Sequence, residues 1–114
     1  MKRTYTPRRQ SKRWLDSDCP AGVLAIYDDR RTADRYTVFY CEPLGGTQYA
    51  DMRIGYVGMS GAPFHPLGIG QHGELDAHQV AMYRYENRNR AAKWSSLPDD
   101  CKRLVLQDLA PENN

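Results

Sequence analysis

Cysteine is scarce in this chain and poorly placed for the chemistry it usually supports. Cys19, Cys41 and Cys101 are odd in number and far apart, with no CxxC pair and no regular zinc spacing. This pattern argues against a disulfide scaffold and against a cysteine-rich zinc domain. It is typical of three reduced thiols in a cytoplasmic protein.

Long hydrophobic runs are also missing. The longest candidate, residues 21–27, has only the length of a strand, whereas a membrane span needs about 20 apolar residues. The basic N-terminus is not followed by the apolar segment of a secretory signal. With 114 residues, 40% of them hydrophobic and 26% charged, the composition predicts one folded domain without a membrane segment.

Acidic residues are absent from the N-terminus. The first 14 residues carry six basic side chains and no acidic one, whereas the other 100 carry 10 basic and 14 acidic residues. Such asymmetry is typical of an interaction tail. We therefore expect a flexible basic arm over residues 1–13, a single globular domain over residues 14–110 and a short tail over residues 111–114.

The apolar patterning predicts an α+β fold, namely a small antiparallel sheet of three to four strands with a C-terminal helix packed on one face. Three runs rich in β-branched and aromatic residues predict strands, at residues 23–27, 35–42 and 52–59. Residues 91–95 are a candidate fourth strand. In the second run, alternation places Tyr36, Val38 and Tyr40 on one face.

Two helices are predicted in the second half of the chain. Residues 76–85 form a short candidate helix capped by Asp76. The C-terminal helix, residues 97–109, shows an apolar stripe at helical spacing. Ser96, with Asp99 three residues later, fits a capping box at its start.

The segment between the third strand and the first helix, residues 59–78, is predicted to be a loop of defined shape. It holds all three histidines (His65, His72 and His78) and four of the nine glycines. Glycine permits positive φ, and proline extends the residue before it. A structural role is the favoured interpretation, although defined loops often carry function.

Three stretches, "DRYTVFY", "YVGMSGAPFHPLGIGQHGE" and "LPDDCKRLVLQDL", together resemble a group of small hypothetical proteins of bacterial genomes and their phages or plasmids. The resemblance covers roughly residues 34–109 and omits the arm. No function is attached to that group. The resemblance implies a shared glycine–histidine loop and a bacterial or phage context.

The loop offers only weak candidates for catalysis, namely His65, His72 and Glu74. The most economical hypothesis is proton transfer by His72, oriented by Glu74. The H-x-E-x3-H spacing is no established zinc pattern, and the GxGxxG match does not open a helix after a strand in a βαβ unit. The sequence therefore predicts neither a metal nor a cofactor.

Basic residues next to aromatic ones are the candidate binding residues. Cations neutralise phosphates, and aromatic rings stack on unpaired bases. The arm and a second cluster supply the candidates, which are Lys2, Arg3, Arg8, Arg9, Lys12, Arg13, Trp14, Arg84, Arg88, Arg90 and Lys93. No helix-turn-helix, zinc finger or RNP sequence accompanies them.

Three functions stay open at this point. The first is a small cytoplasmic accessory or inhibitor protein of a bacterium or mobile element, non-enzymatic, which binds a protein or ribonucleoprotein partner. The second is a nucleic-acid-binding module that uses the arm on phosphates. The third is a small enzyme that uses His65, His72 and Glu74.

Overall fold

The computed structural model of the chain describes residues 9–10, 15, 18–41 and 53–110. Four strands form one antiparallel sheet in the order β1-β2-β3-β4. The strands are β1 (Val23–Asp28), β2 (Tyr36–Tyr40), β3 (Arg53–Met59) and β4 (Gly70–Asp76), and the helices are α1 (Ala77–Glu86) and α2 (Asp99–Leu109). The predicted α+β fold with a C-terminal helix is confirmed. Within these described ranges, no helix has both the length and the apolar character needed to cross a membrane.

Both faces of the sheet are buried, each under its own helix. On one face, Val38 and Tyr40 pack in a cluster with Cys101 and Val105 of α2. On the other face, Phe39 packs in a cluster with residues of α1. The alternation predicted for β2 is therefore confirmed, and it explains why the central strands are apolar on both sides.

The fourth strand lies inside the predicted loop, so that prediction was wrong for residues 70–76. β4 pairs with β3 along its whole length, from Met59 opposite Gly70 to Arg53 opposite Asp76. Its sequence, GQHGELD, contains no β-branched residue. The backbone of β3 stabilises it by ladder hydrogen bonds that propensity does not reveal.

The two helices begin differently. Asp76 caps α1 as predicted, because its carboxylate accepts the N–H of Gln79 at 2.8 Å in a complete capping box. The predicted cap of α2 was wrong. The N-cap of α2 is Pro98 and no side chain caps it, while the hydroxyl of Ser96 donates to the carbonyl of Lys93 at 2.6 Å.

The outer edge of β1 is covered by the segment between the helices, which the sequence predicted as a strand. Ala91 forms one isolated bridge to Tyr27, and the N–H of Ala92 donates to the carbonyl of Ile26 at 2.9 Å. The chain then turns into a 3-10 helix, Trp94–Ser96. Trp94 of this helix is buried in the core cluster on the α2 face of the sheet. The prediction of a strand over residues 91–95 was therefore wrong.

Of the predicted basic arm, only Arg9 and Gln10 lie within the described residues, and both contact β1. The N–H of Gln10 donates to the carbonyl of Leu24 at 3.0 Å, and its side chain accepts the N–H of Ile26 at 3.1 Å. The Arg9 guanidinium donates to the carbonyl of Val23 at 2.7 Å. The tail over residues 111–114 lies outside the described residues. So do the remaining candidates of the arm and the residue after it, which are Lys2, Arg3, Arg8, Lys12, Arg13 and Trp14.

Candidate functional site

The β3–β4 loop, residues 60–69, is held closed by hydrogen bonds between its two ends. The N–H of Ser60 donates to the carbonyl of Ile69, and the N–H of Ile69 donates to the hydroxyl of Ser60, both at 2.9 Å. Because Ser60 satisfies backbone groups at the far end of the loop, these two bonds hold its ends together.

His65 organises the interior of the β3–β4 loop. Its N–H donates to the carbonyl of Ala62 at 3.1 Å, and its own carbonyl accepts the N–H of Gly68 at 2.7 Å. Its ring Nδ1 accepts the N–H of Leu67 at 3.0 Å. The ring bond requires a lone pair on Nδ1, and the three bonds together give His65 a structural task. The catalytic role considered for His65 has no support in this geometry.

The loop is also anchored to α2. The thiol of Cys101 donates to the carbonyl of Ser60 at 3.2 Å. Burial raises the pKa of Cys101 to about 11, so the thiol stays protonated and can donate at neutral pH. The guanidinium of Arg103 lies 4.1 Å from the centroid of the Phe64 ring.

The β3–β4 loop presents apolar side chains to solvent. Leu67 is 88% exposed and Phe64 is 40% exposed, although hydrogen bonds close the loop at its ends and brace its interior. Single exposed apolar residues are common on protein surfaces. Here, however, they lie at the tip of a loop whose shape is fixed by other residues.

His72 lies on β4 and pairs with Asp108 of α2. Its Nε2 lies 3.0 and 2.9 Å from the two carboxylate oxygens. The hydroxyl of Tyr40 donates to the same carboxylate at 2.6 Å, and burial together with this bond raises the pKa of Tyr40. The partner that orients His72 is therefore Asp108, whereas Glu74 was the residue expected.

A histidine held by a carboxylate can act as a general base when a reacting group lies within its hydrogen-bonding reach. In the described ranges, no serine or threonine hydroxyl is hydrogen-bonded to His72, whose side chain is 44% exposed. His65 lies in the loop and His78 lies on α1. Across the described part of the chain, no three potential metal-ligating side chains form a group that could hold an ion.

A second feature is an open cleft of about 610 Å³ between the β1–β2 turn and the segment after α1. Arg30 and Arg31 line it from the turn. Arg90 and Lys93 line it from the segment after α1. We call this the basic cleft; its remaining lining residues are Asp28, Asp29, Asn89, Ala91, Ala92 and Ser96.

The second basic cluster predicted from the sequence is divided by the structure. Arg90 and Lys93 reach the basic cleft. Arg88 stacks over the ring of Tyr85, with its guanidinium carbon 4.2 Å from the ring centroid. Arg84 hydrogen-bonds to Tyr27, which partly offsets the rise in the pKa of Tyr27 caused by burial.

Arg30 and Arg31 were not among the candidate binding residues predicted from the sequence. Their signal was visible as the "DDRR" run that begins at the last residue of β1. That run becomes informative only when the fold places it opposite Arg90 and Lys93.

Compared with protein-family models, with curated proteins and with solved structures, the chain shows no significant match to any of them.

Proposed function

We propose that this chain is a binding protein that recognises a protein partner through the β3–β4 loop. The observation that carries the proposal is Leu67, which is 88% exposed at the tip of a loop closed by hydrogen bonds at both ends. A segment already fixed in shape loses little conformational entropy when it binds. An exposed leucine on such a segment contributes roughly 1.5–3 kcal/mol when a partner buries it.

The fold itself does not require an apolar side chain at this position. The shape of the loop depends on the backbone of residue 67, whose N–H bonds to His65, and on the hydroxyl of Ser60. The neighbouring Phe64 is 40% exposed, and the guanidinium of Arg103 packs on its ring. Two exposed apolar side chains on a hydrogen-bonded loop are suited to a hydrophobic pocket on a partner.

The proposed setting is the cytoplasm of a bacterium, or of a bacterium that carries a phage or plasmid. The odd, widely spaced cysteines support a reducing compartment. The resemblance of residues 34–109 to small bacterial and phage proteins supports the context. An accessory or inhibitory role fits a small chain that works by binding.

The proposal is tested with the full chain as bait in a lysate of the source organism, after nuclease treatment. Leu67→Asp places a charge at the loop tip without removing a loop hydrogen bond. We expect wild type to retain a stoichiometric partner that Leu67→Asp loses. Retained proteins are identified by mass spectrometry and quantified against bait.

Met82→Asp is the matched control, because Met82 is also an exposed apolar residue, at 50%, but lies on α1. The control should retain the partner as wild type does. Equal retention by the Leu67 variant, with its melting temperature unchanged, would contradict the proposal.

A further inference from the structure

We propose that the basic cleft binds the phosphate backbone of single-stranded nucleic acid. This site lies apart from the β3–β4 loop and does not depend on the loop's proposed role. Its four cations come from two segments, the β1–β2 turn and the segment after α1. The fold thus brings together Arg30, Arg31, Arg90 and Lys93.

The cations of the cleft outnumber the carboxylates that face them. Asp28 is already neutralised by Arg35, whose guanidinium donates to both carboxylate oxygens at 2.7 and 3.1 Å. The contact of Arg30 with Asp28 is long, at 3.8 Å. Positive charge on Arg30 is therefore available to an external anion.

The second carboxylate, that of Asp29, is shared by two arginines, so it neutralises neither of them fully. Asp29 lies 4.0 Å from Arg31 and 3.9 Å from Arg90, both at the outer limit of an ion pair. Lys93 forms no ion pair with any described residue. Phosphate oxygens accept charge-assisted bonds from such guanidinium and ammonium groups.

The lining and openness of the cleft favour an extended anion over a small apolar ligand. Ala91 and Ala92 are its only apolar lining residues, whereas pockets for small molecules are mostly apolar and aromatic. Arg30 and Arg31 have side chains 82% and 77% exposed, at the rim. Rim cations of this kind suit a backbone that passes through and continues beyond the cleft.

An exposed aromatic ring four residues before Asn89, a lining residue of the cleft, favours a single strand. Tyr85 is 68% exposed and lies under the guanidinium of Arg88. Arg88 begins the 3-10 helix that ends at Arg90, a lining residue of the cleft. Unpaired bases stack on such rings, while paired bases do not expose their faces.

The proposal is tested by fluorescence anisotropy with labelled polythymidine, using the full chain at several salt concentrations. The variants are Arg31→Gln, Lys93→Gln and the two combined. We expect the double variant to weaken binding several-fold. The slope of log affinity against log salt should fall by about 0.7 for each phosphate of the single strand that the variant no longer neutralises.

Lys102→Gln is the matched control for each single variant, because it removes one lysine charge from α2, outside the cleft lining. Circular dichroism confirms that each variant is folded. Affinities of the cleft variants equal to that of the control would overturn the proposal, since the arm alone would then bind the strand.

Competition distinguishes a strand from a free anion. Inorganic phosphate at constant ionic strength should not displace polythymidine at millimolar concentration, whereas unlabelled polythymidine should. Displacement by phosphate would overturn strand binding and identify a single-anion site. Tighter binding of a labelled duplex than of polythymidine would overturn the single-strand preference.

Discussion

At Gly68 the backbone of the β3–β4 loop passes directly against the carbonyl oxygen of Ala62, and a Cβ there would collide with it. We predict that Gly68→Ala destabilises the protein by about 1–3 kcal/mol, the usual cost of overpacking. Gly61→Ala is the control, since a Cβ at Gly61 meets nothing within 4 Å. Thermal unfolding of both variants measures the difference. Equal melting temperatures would mean that the loop relaxes freely.

The glycines of the predicted loop are needed for a different reason from the one that the sequence suggested. Positive φ was expected, but Gly61, Gly68, Gly70 and Gly73 all have φ outside the left-handed region. At Gly73 the requirement is again space, because a Cβ would lie 2.6 Å from the hydroxyl oxygen of Tyr56 across the strand pair. Close approach between distant segments is not visible in a local sequence pattern.

The same limit applies to His72. His72 and Glu74 share a face of β4, so an imidazole–carboxylate pair between them was a reasonable hypothesis from spacing. The actual carboxylate, Asp108, lies 36 residues away and reaches His72 only because α2 docks across that face. Local spacing identified the histidine, while its partner depends on tertiary packing.

Within α2, Leu104 and Leu106 allow burial to be tested with one substitution at two positions. Leu104 packs against the core cluster on the α2 face of the sheet, whereas Leu106 is 50% exposed. We predict that Leu104→Ala costs about 2–3 kcal/mol, at the lower end for a partly buried leucine. Leu106→Ala should change stability by less than about 1 kcal/mol. Chemical denaturation measures both, and similar costs would contradict the packing of α2 described above.

The elements that the sequence predicted well are those with a strong local pattern. β1 follows from its continuous apolar run and β2 from its β-branched and aromatic residues, and Asp76 was identified as the cap of α1. The apolar stripe located α2, although its first residue is Asp99. β4 was missed because a strand without β-branched residues depends on its neighbour for stability.

At the scale of the whole molecule, the β3–β4 loop and the basic cleft share one end of the sheet. Asp28 ends β1 and pairs with Tyr36 at the start of β2, which pairs with Met59 at the end of β3. Met59 in turn pairs with Gly70 at the start of β4. With neighbouring strands about 4.8 Å apart, β1 and β4 are roughly 15 Å apart at that end. One partner with a standard interface of about 800 Å² can cover both surfaces.

This shared orientation leads to a prediction about the partner itself. If the loop binds the protein and the cleft binds the nucleic acid of one ribonucleoprotein, each interaction raises the effective concentration of the other. The Arg31→Gln/Lys93→Gln bait should then retain less of the loop partner than the Lys102→Gln bait, although its loop is intact. Nuclease should lower retention by wild type to the level of the cleft variant and lower the variant's own retention no further, because both changes remove the same interaction.

Quantitative mass spectrometry of four eluates, from wild type and the cleft variant with and without nuclease, measures whether the effects of the substitutions and of nuclease on retention are non-additive. Equal retention in all four would show instead that the loop and the cleft serve separate ligands.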